Sequence, residues 1–195
     1  MFNDIIGIIK NSSCNNFYDV CEMLDDCVNS DNDFAGILSQ IGTIPESIPH
    51  DSTEEKLFSK ASDIILSRAF MELGLKSAVL RERGDSADVI AESIIFGYTL
   101  AADAKSFRLS RTAKNQKDFK ISALSVWRKD NDYAVLCSPY FQYPARNSQI
   151  YAQALTNNVC LLSWEHLIFM IEKGIKEDAK LNLSELWGFS EKYYQ

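Results

Sequence analysis

Histidine is scarce in this 195-residue chain: His50 and His166 are the only two. They are too few and too far apart for a histidine-based metal site. They also make a Ser-His-Asp or Cys-His nucleophile a poor expectation. No apolar run approaches the ~18 residues of a membrane span. The segment Met1–Lys10 has no basic lead, carries an early acid at Asp4 and shows no small-residue cleavage site, so a secretory leader is not expected. Five cysteines make an odd set with no paired spacing, which suits a reducing, cytoplasmic compartment. There is no internal repeat and no low-complexity tract. An excess of positive charge is also missing: the net charge is −7 and the pI about 4.9, which on average argues against a nucleic-acid partner.

The average conceals a split. Residues 105–129 hold eight basic side chains (Lys105, Arg108, Arg111, Lys114, Lys117, Lys120, Arg128 and Lys129) and one acid, Asp118, which leaves twelve bases and twenty-six acids for the remainder. A strongly basic segment sits in an acidic body. Hydrophobic residues make up 46% of the chain and charged residues 24%, so a packed core is expected and wholesale disorder is excluded. The length fits one domain, with a helical part over 1–40 and a core over 41–195.

Phe17, Val20, Cys21, Leu24, Cys27 and Val28 fall at helical spacing, with the two cysteines as small apolar filler. A short apolar segment follows over Phe34–Ile41, then a proline-bearing loop. Ser52 with Glu55 three residues on reads as a capping box opening a helix to about Leu73, stopped by Gly74, with Leu57, Ala61, Ile64 and Ile65 toward the core. The period then shortens. Residues 88–91 and 98–105 read as the strands of a hairpin turning at Ile94–Gly97. A helix is expected from Thr112 or Ala113 to Trp127. Strands over 132–137 and 159–163 and helices over 149–155 and 164–172 complete the pattern. This is a mixed α/β chain with a central sheet of about four or five strands flanked by helices.

Asp103 and Lys105, two apart on a strand, share one face, while Leu100, Ala102 and Ala104 take the other. If the hairpin is symmetric about Ile95 and Phe96, Asp88 stands opposite Asp103. Two carboxylates and an ammonium then meet at one edge of the sheet. Adjacent carboxylates repel, and a hard divalent cation such as Mg²⁺ removes the repulsion while pairing naturally with phosphate oxygens. A neighbouring lysine orients water or offsets charge on the phosphoryl oxygens. The trio is a compact kit for phosphodiester hydrolysis; it equally describes a surface salt bridge on an edge strand. The basic run beginning at Lys105 favours the first reading, because an acidic cluster needs positive charge around it to approach DNA. Within that run Lys114, Lys117 and Asp118 share a helical face. A solvated helix face is one reading. The other is base readout, since Asn115, Lys117 and Asp118 match the major-groove edges of adenine, guanine and cytosine.

The run from Gly97 to Lys120, with Asp103-Ala104-Lys105 at its centre, resembles the HindIII family of type II restriction endonucleases, of the PD-(D/E)xK nuclease superfamily. So do Ser52–Ala61, Asp132–Leu136, Phe141–Pro144 and Ser163–Leu167; the likeness extends from about Ile41 to Trp187. The resemblance implies a restriction-endonuclease-like fold, Mg²⁺, a homodimer, double-stranded DNA as substrate, and cleavage at a palindromic AAGCTT site that leaves 5′ overhangs. It also implies a companion DNA methyltransferase. Carried over by position, Asp88 and Asp103 are metal-ligating acids, the Ala104 carbonyl a further ligand and Lys105 the motif lysine. Glu55 is either an additional acid or the capping residue its spacing suggests. Arg108, Arg111, Lys114, Asn115, Lys117, Asp118 and Lys120 are the expected DNA contacts. Two departures stand out. Ala87 replaces the motif's proline, and the chain stops at Gln195 where the family continues into a helical C-terminal region. A non-cleaving DNA-binding homologue and a structure-selective nuclease of the same fold are the alternatives.

Overall fold

The computed structural model describes residues 2–12, 15–30, 34–80, 86–110, 116–145 and 147–188. Three helices, α1 (Phe2–Lys10), α2 (Phe17–Ser30) and α3 (Phe34–Ile41), lead into the long α4 (Thr53–Glu72). Then come β1 (Lys76–Val79), β2 (Val89–Glu92) and β3 (Thr99–Ala104), and the short helices α5 (Gln116–Phe119) and α6 (Ile121–Trp127). The chain continues through β4 (Tyr133–Ser138), α7 (Gln149–Thr156), β5 (Val159–Ser163), α8 (Trp164–Glu172) and α9 (Ser184–Trp187). None of the described helices is long and apolar enough to cross a membrane.

Among the described residues the strands form one five-stranded sheet in the order β1-β2-β3-β4-β5. β1, β2 and β3 are antiparallel neighbours, whereas β3, β4 and β5 run parallel. Apolar clusters cover both faces. One joins Leu100, Ala102, Val135 and Leu162 to α1–α4 and α8. The other joins Ala101, Ala134 and Leu136 to Phe119, Ile121, Leu124, Ile150 and Ala154. β3 is thus the central strand, buried on both faces and paired on both sides.

The hairpin has the expected register: Val89 faces Ala102 and Ile90 faces Ala101, so one step beyond the last paired residues the chain reaches Asp88 on one side and Asp103 on the other. At the turn Gly97 takes φ +71, a left-handed conformation cheap only for glycine. Ser52 caps α4 by accepting from the Glu55 amide at 3.0 Å, and Gly74 lies beyond its end at φ +93. The Glu55 carboxylate reaches back to the Asp51 amide at 2.7 Å, one residue earlier than a strict capping box.

Within the expected helical part over 1–40, residues 2–10 form an amphipathic helix that buries Ile5 and Ile9. Two features depart from the sequence expectation. β1 is an additional strand. The single helix expected to end at Trp127 is broken at Lys120, whose φ of 50 is left-handed. Phe119 and Ile121 explain the break. Both are buried in the same cluster, yet two positions apart on a continuous helix would point them about 200° apart. The chain must swivel between them.

The segment after α8 is tied down by Glu177, which is 3% exposed. Its carboxylate accepts from the hydroxyls of Ser93 and Tyr98 and from the Leu183 amide, while the Trp187 indole donates to the Tyr98 oxygen at 3.0 Å. Burial and the hydrogen bond to Glu177 push the Tyr98 phenol well above its ordinary pKa.

Candidate active site

Asp103 lies at the C-terminal end of β3. The sequence reading left open a salt bridge on an edge strand; here Asp103 stands on the central strand, paired on both sides, and is only 2% exposed. That burial removes the surface-salt-bridge reading. The Asp103 carboxylate binds the Lys105 ammonium directly. Asp88, just before β2, brings its carboxylate to the same place, and Asp63 from α4 supplies a third. Carboxylate oxygens of Asp63, Asp88 and Asp103 all lie within 4.8 Å of one another.

Burial and mutual repulsion act on these acids in the same direction. Asp63 is pushed well above the usual carboxylate range, by burial first and then by the charges of Asp88 and Asp103. Asp88 is raised by burial and then by Asp103. Lys60 and Lys105 oppose both shifts, and Lys120 helps at Asp88. Lys60 lies 3.9 Å from Asp63 and donates to the Leu80 carbonyl at 3.0 Å, fixing the end of β1 beside the cluster. Hard oxygen donors under mutual repulsion are the set that a hard divalent cation satisfies.

The backbone around Lys105 is clamped. Its amide donates to the Cys137 carbonyl at 2.7 Å, and its carbonyl accepts from the Trp164 indole at 3.2 Å. Phe107 exchanges backbone bonds with Gly42 and Ile44 across a one-residue bridge at Thr43. Gly42 leaves no room for a side chain: a Cβ there would stand 2.7 Å from Pro139 Cγ and 2.9 Å from Trp164 Cδ1. A cavity of about 670 Å³ between α2, α4 and β1 opens onto Asp63 and Asp88.

Comparison with known proteins now adds to this geometry. The HindIII restriction endonuclease family model matches residues 4–192. The chain belongs to that family. The type II restriction enzyme HindIII of Haemophilus influenzae is 54% identical over 161 residues, which are 83% of this chain and 54% of the relative. The chain therefore spans about half the length of the curated relative it matches. Among solved structures, the restriction endonuclease FokI superposes with a TM-score of 0.51 at 14% identity, covering 85% of this chain and 32% of FokI. That likeness shows a restriction-endonuclease-like fold.

In this HindIII-family chain the other expected site residues are distributed unevenly. Glu55 does not join the three grouped carboxylates. Its carboxylate holds the Arg108 guanidinium, at 3.1 Å from Nε and 2.8 Å from Nη2, and caps the Asp51 amide. The third carboxylate is instead Asp63, eight residues on. Arg108, expected to contact DNA, is turned inward: its side chain is 11% exposed, with Glu46 and the Pro45 carbonyl as further partners. Lys117 and Lys120 are exposed and line a concave patch with Ile121, Ser122, Ala123 and Gln153; Asp118 is half-buried on α5. Arg111, Lys114 and Asn115 lie outside the described residues. His166 is structural, completing a capping box with Ser163 at the start of α8.

Sequence reasoning missed Asp63 and Lys60. The signal was present: Lys60, Ser62, Asp63 and Ser67 are polar residues in a helix otherwise dense with Leu, Ile, Ala and Phe. A buried polar residue needs a partner, and here the partner is the site.

Proposed function

We propose that this chain is a Mg²⁺-dependent type II restriction endonuclease, hydrolysing double-stranded DNA at a palindromic AAGCTT-like sequence and leaving 5′ overhangs. The observation that carries this reading is the convergence of Asp63, Asp88 and Asp103 within 4.8 Å, with Lys105 on Asp103, at the end of the central strand. Membership of the HindIII family supports it.

Asp63, Asp88, Asp103 and the Ala104 carbonyl would hold the ion. When bound, Mg²⁺ supplies Lewis-acid stabilisation of the phosphoryl oxygens and acidifies water. The remaining work belongs to the chain. Lys105, held on Asp103, donates hydrogen bonds to the attacking water or to the oxygen on which charge accumulates, and does so where burial strengthens the interaction. The Trp164 and Cys137 contacts to its backbone keep that donor in place. Lys120, with Arg111 and Lys114, meets backbone phosphates; Asn115, Lys117 and Asp118 read base edges. Arg108 organises Glu55 beneath this surface instead of meeting DNA. Cutting both strands of a palindrome calls for two copies related by a two-fold axis, hence a homodimer. A cytoplasmic methyltransferase would protect the host's own sites.

The test is to incubate the purified chain with long duplex DNA, with and without Mg²⁺, and to map the ends. Discrete fragments ending at AAGCTT are expected. Binding without cleavage would replace this reading with a non-cleaving homologue. Preferential cutting of branched DNA would replace it with a structure-selective nuclease.

A further inference from the structure

The chain leaves β4 through Ser138 and Pro139 into a single 3-10 turn, Tyr140–Gln142. Tyr140 and Phe141 expose 66% and 55% of their surface, whereas Gln142 is buried. The Tyr140 ring meets the His166 ring edge-on at 6.5 Å between centroids, and the large aromatic surface that remains in water calls for an explanation.

The turn is rigidly held. The Tyr140 amide donates to Glu165 Oε2 at 2.9 Å, and the Tyr143 amide closes onto the Tyr140 carbonyl at 3.1 Å. The Tyr143 hydroxyl lies 2.7 Å from the Leu162 carbonyl, and its ring stacks on Phe119 at 5.6 Å between centroids. Pro139 packs where Gly42 and Trp164 leave space for it. Flexibility therefore does not account for the exposure.

The position is informative. β3 and β4 are parallel, with Ala104 level with Cys137, so both strands end at the edge that carries Asp103 and Lys105. Tyr140 follows Cys137 by three residues, at most ~11 Å of chain, or about three base-pair steps. On its other side the turn touches α5 through the Tyr143–Phe119 stack, and Phe119 lies between Lys117 and Lys120. An exposed aromatic pair at the edge that carries the proposed cleavage site lies where the duplex must pass, and aromatic faces suit its stacked bases.

We propose that Tyr140 and Phe141 form an aromatic wedge that enters the base stack of the bound duplex next to the cleaved bond and fixes the position of the scissile phosphate. The inference rests on the DNA-cleaving reading above. The wedge residues touch DNA bases and play no part in bond breaking.

The test uses the full chain and a duplex holding one AAGCTT site, with 2-aminopurine at each adenine in turn and Ca²⁺ in place of Mg²⁺. The wild-type chain is expected to raise the fluorescence at one position. The double variant Tyr140→Ala, Phe141→Ala should abolish that rise and weaken binding about tenfold. Its salt dependence should stay the same, because no phosphate contact is lost. Its thermal stability should also hold, since both rings are exposed. Phe141→Trp should restore the fluorescence rise. Unchanged affinity and fluorescence in the double variant would overturn the wedge. So would a change confined to sedimentation, from dimer to monomer, which would assign the rings to an interface between copies. A wild-type chain that binds no duplex would overturn the DNA-cleaving reading itself; equal cutting by wild type and double variant would sink the wedge alone.

Discussion

Replacing Asp63 by Asn should stabilise the metal-free protein while disabling it. Asp63 is 6% exposed, and its carboxylate lies within 4.8 Å of two others. At an effective dielectric of about 20, each such like-charge contact costs ~3.5 kcal/mol. Lys60, 3.9 Å away, returns ~4 kcal/mol, and Lys105 offsets a further part. At most ~3 kcal/mol of net repulsion remains, before the cost of burying the charge is added. For a chain of this length the melting temperature shifts about 2–4 °C per kcal/mol, so Asp63→Asn should melt several degrees, and up to about 12 °C, above wild type in EDTA at neutral pH. The pH dependence has a definite sign. Asp63 and Asp88 hold their protons to higher pH when folded than when unfolded. Between the ordinary carboxylate range and those raised values the native state therefore binds more protons. The metal-free wild type should lose stability as pH rises through that window, and Asp63→Asn should lose less. Added Mg²⁺ should reverse the order, raising the wild-type melting temperature more than the variant's. Calorimetry against pH, with and without Mg²⁺, reads all of this. A variant that melts below wild type in EDTA would refute the reasoning, since Asp63 would then be a net stabilising partner of Lys60.

Lys105→Ala or Asp103→Asn should abolish cleavage while leaving the far-UV spectrum of a folded protein; full cutting by either would remove that residue from the site. Asp118→Ala should relax sequence preference more than it weakens overall affinity, measured as a ratio of binding to cognate and scrambled duplexes, and a uniform loss would mark it as a general contact. Gly42→Ala should cost about 1–3 kcal/mol of stability, because its new methyl group meets Pro139 and Trp164. It should also lower kcat by shifting the Lys105 backbone that Trp164 holds, and unchanged kcat would show that the clamp is not needed for chemistry.

The parts of this site that were legible in the sequence are the local ones. A tight turn fixes the hairpin register, so the pairing of Asp88 with Asp103 followed from counting residues about Ile95 and Phe96. The strand period of two placed Lys105 beside Asp103 in the same way. Asp63 was hidden because its partners are distant in sequence. The stripe Leu57, Ala61, Ile64 and Ile65 does face the core, but α2 covers another side of α4, so a residue off the stripe is buried too. The Arg108 pairing was hidden for a related reason. A basic residue in a basic run looks like a phosphate contact, and nothing local shows that Glu55, 53 positions earlier, holds its guanidinium. The break at Lys120 needed knowledge that Phe119 and Ile121 share one cluster, which no helical period can accommodate.

The Glu177 anchor has a consequence for the order in which the protein can be made. Ser93 and Tyr98 bracket the turn of the hairpin that aligns Asp88 with Asp103, and their buried hydroxyls are satisfied by a carboxylate 84 and 79 positions later in the chain. A ribosome feeds out the N-terminal part first, at about 5–20 residues per second. The α1–α4 layer and the strand pairings can form as they emerge, but the buried hydroxyls at the hairpin turn gain their acceptor only once Glu177 has been synthesised. The turn sets the register that aligns Asp88 with Asp103, and the C-terminal segment supplies its last tie.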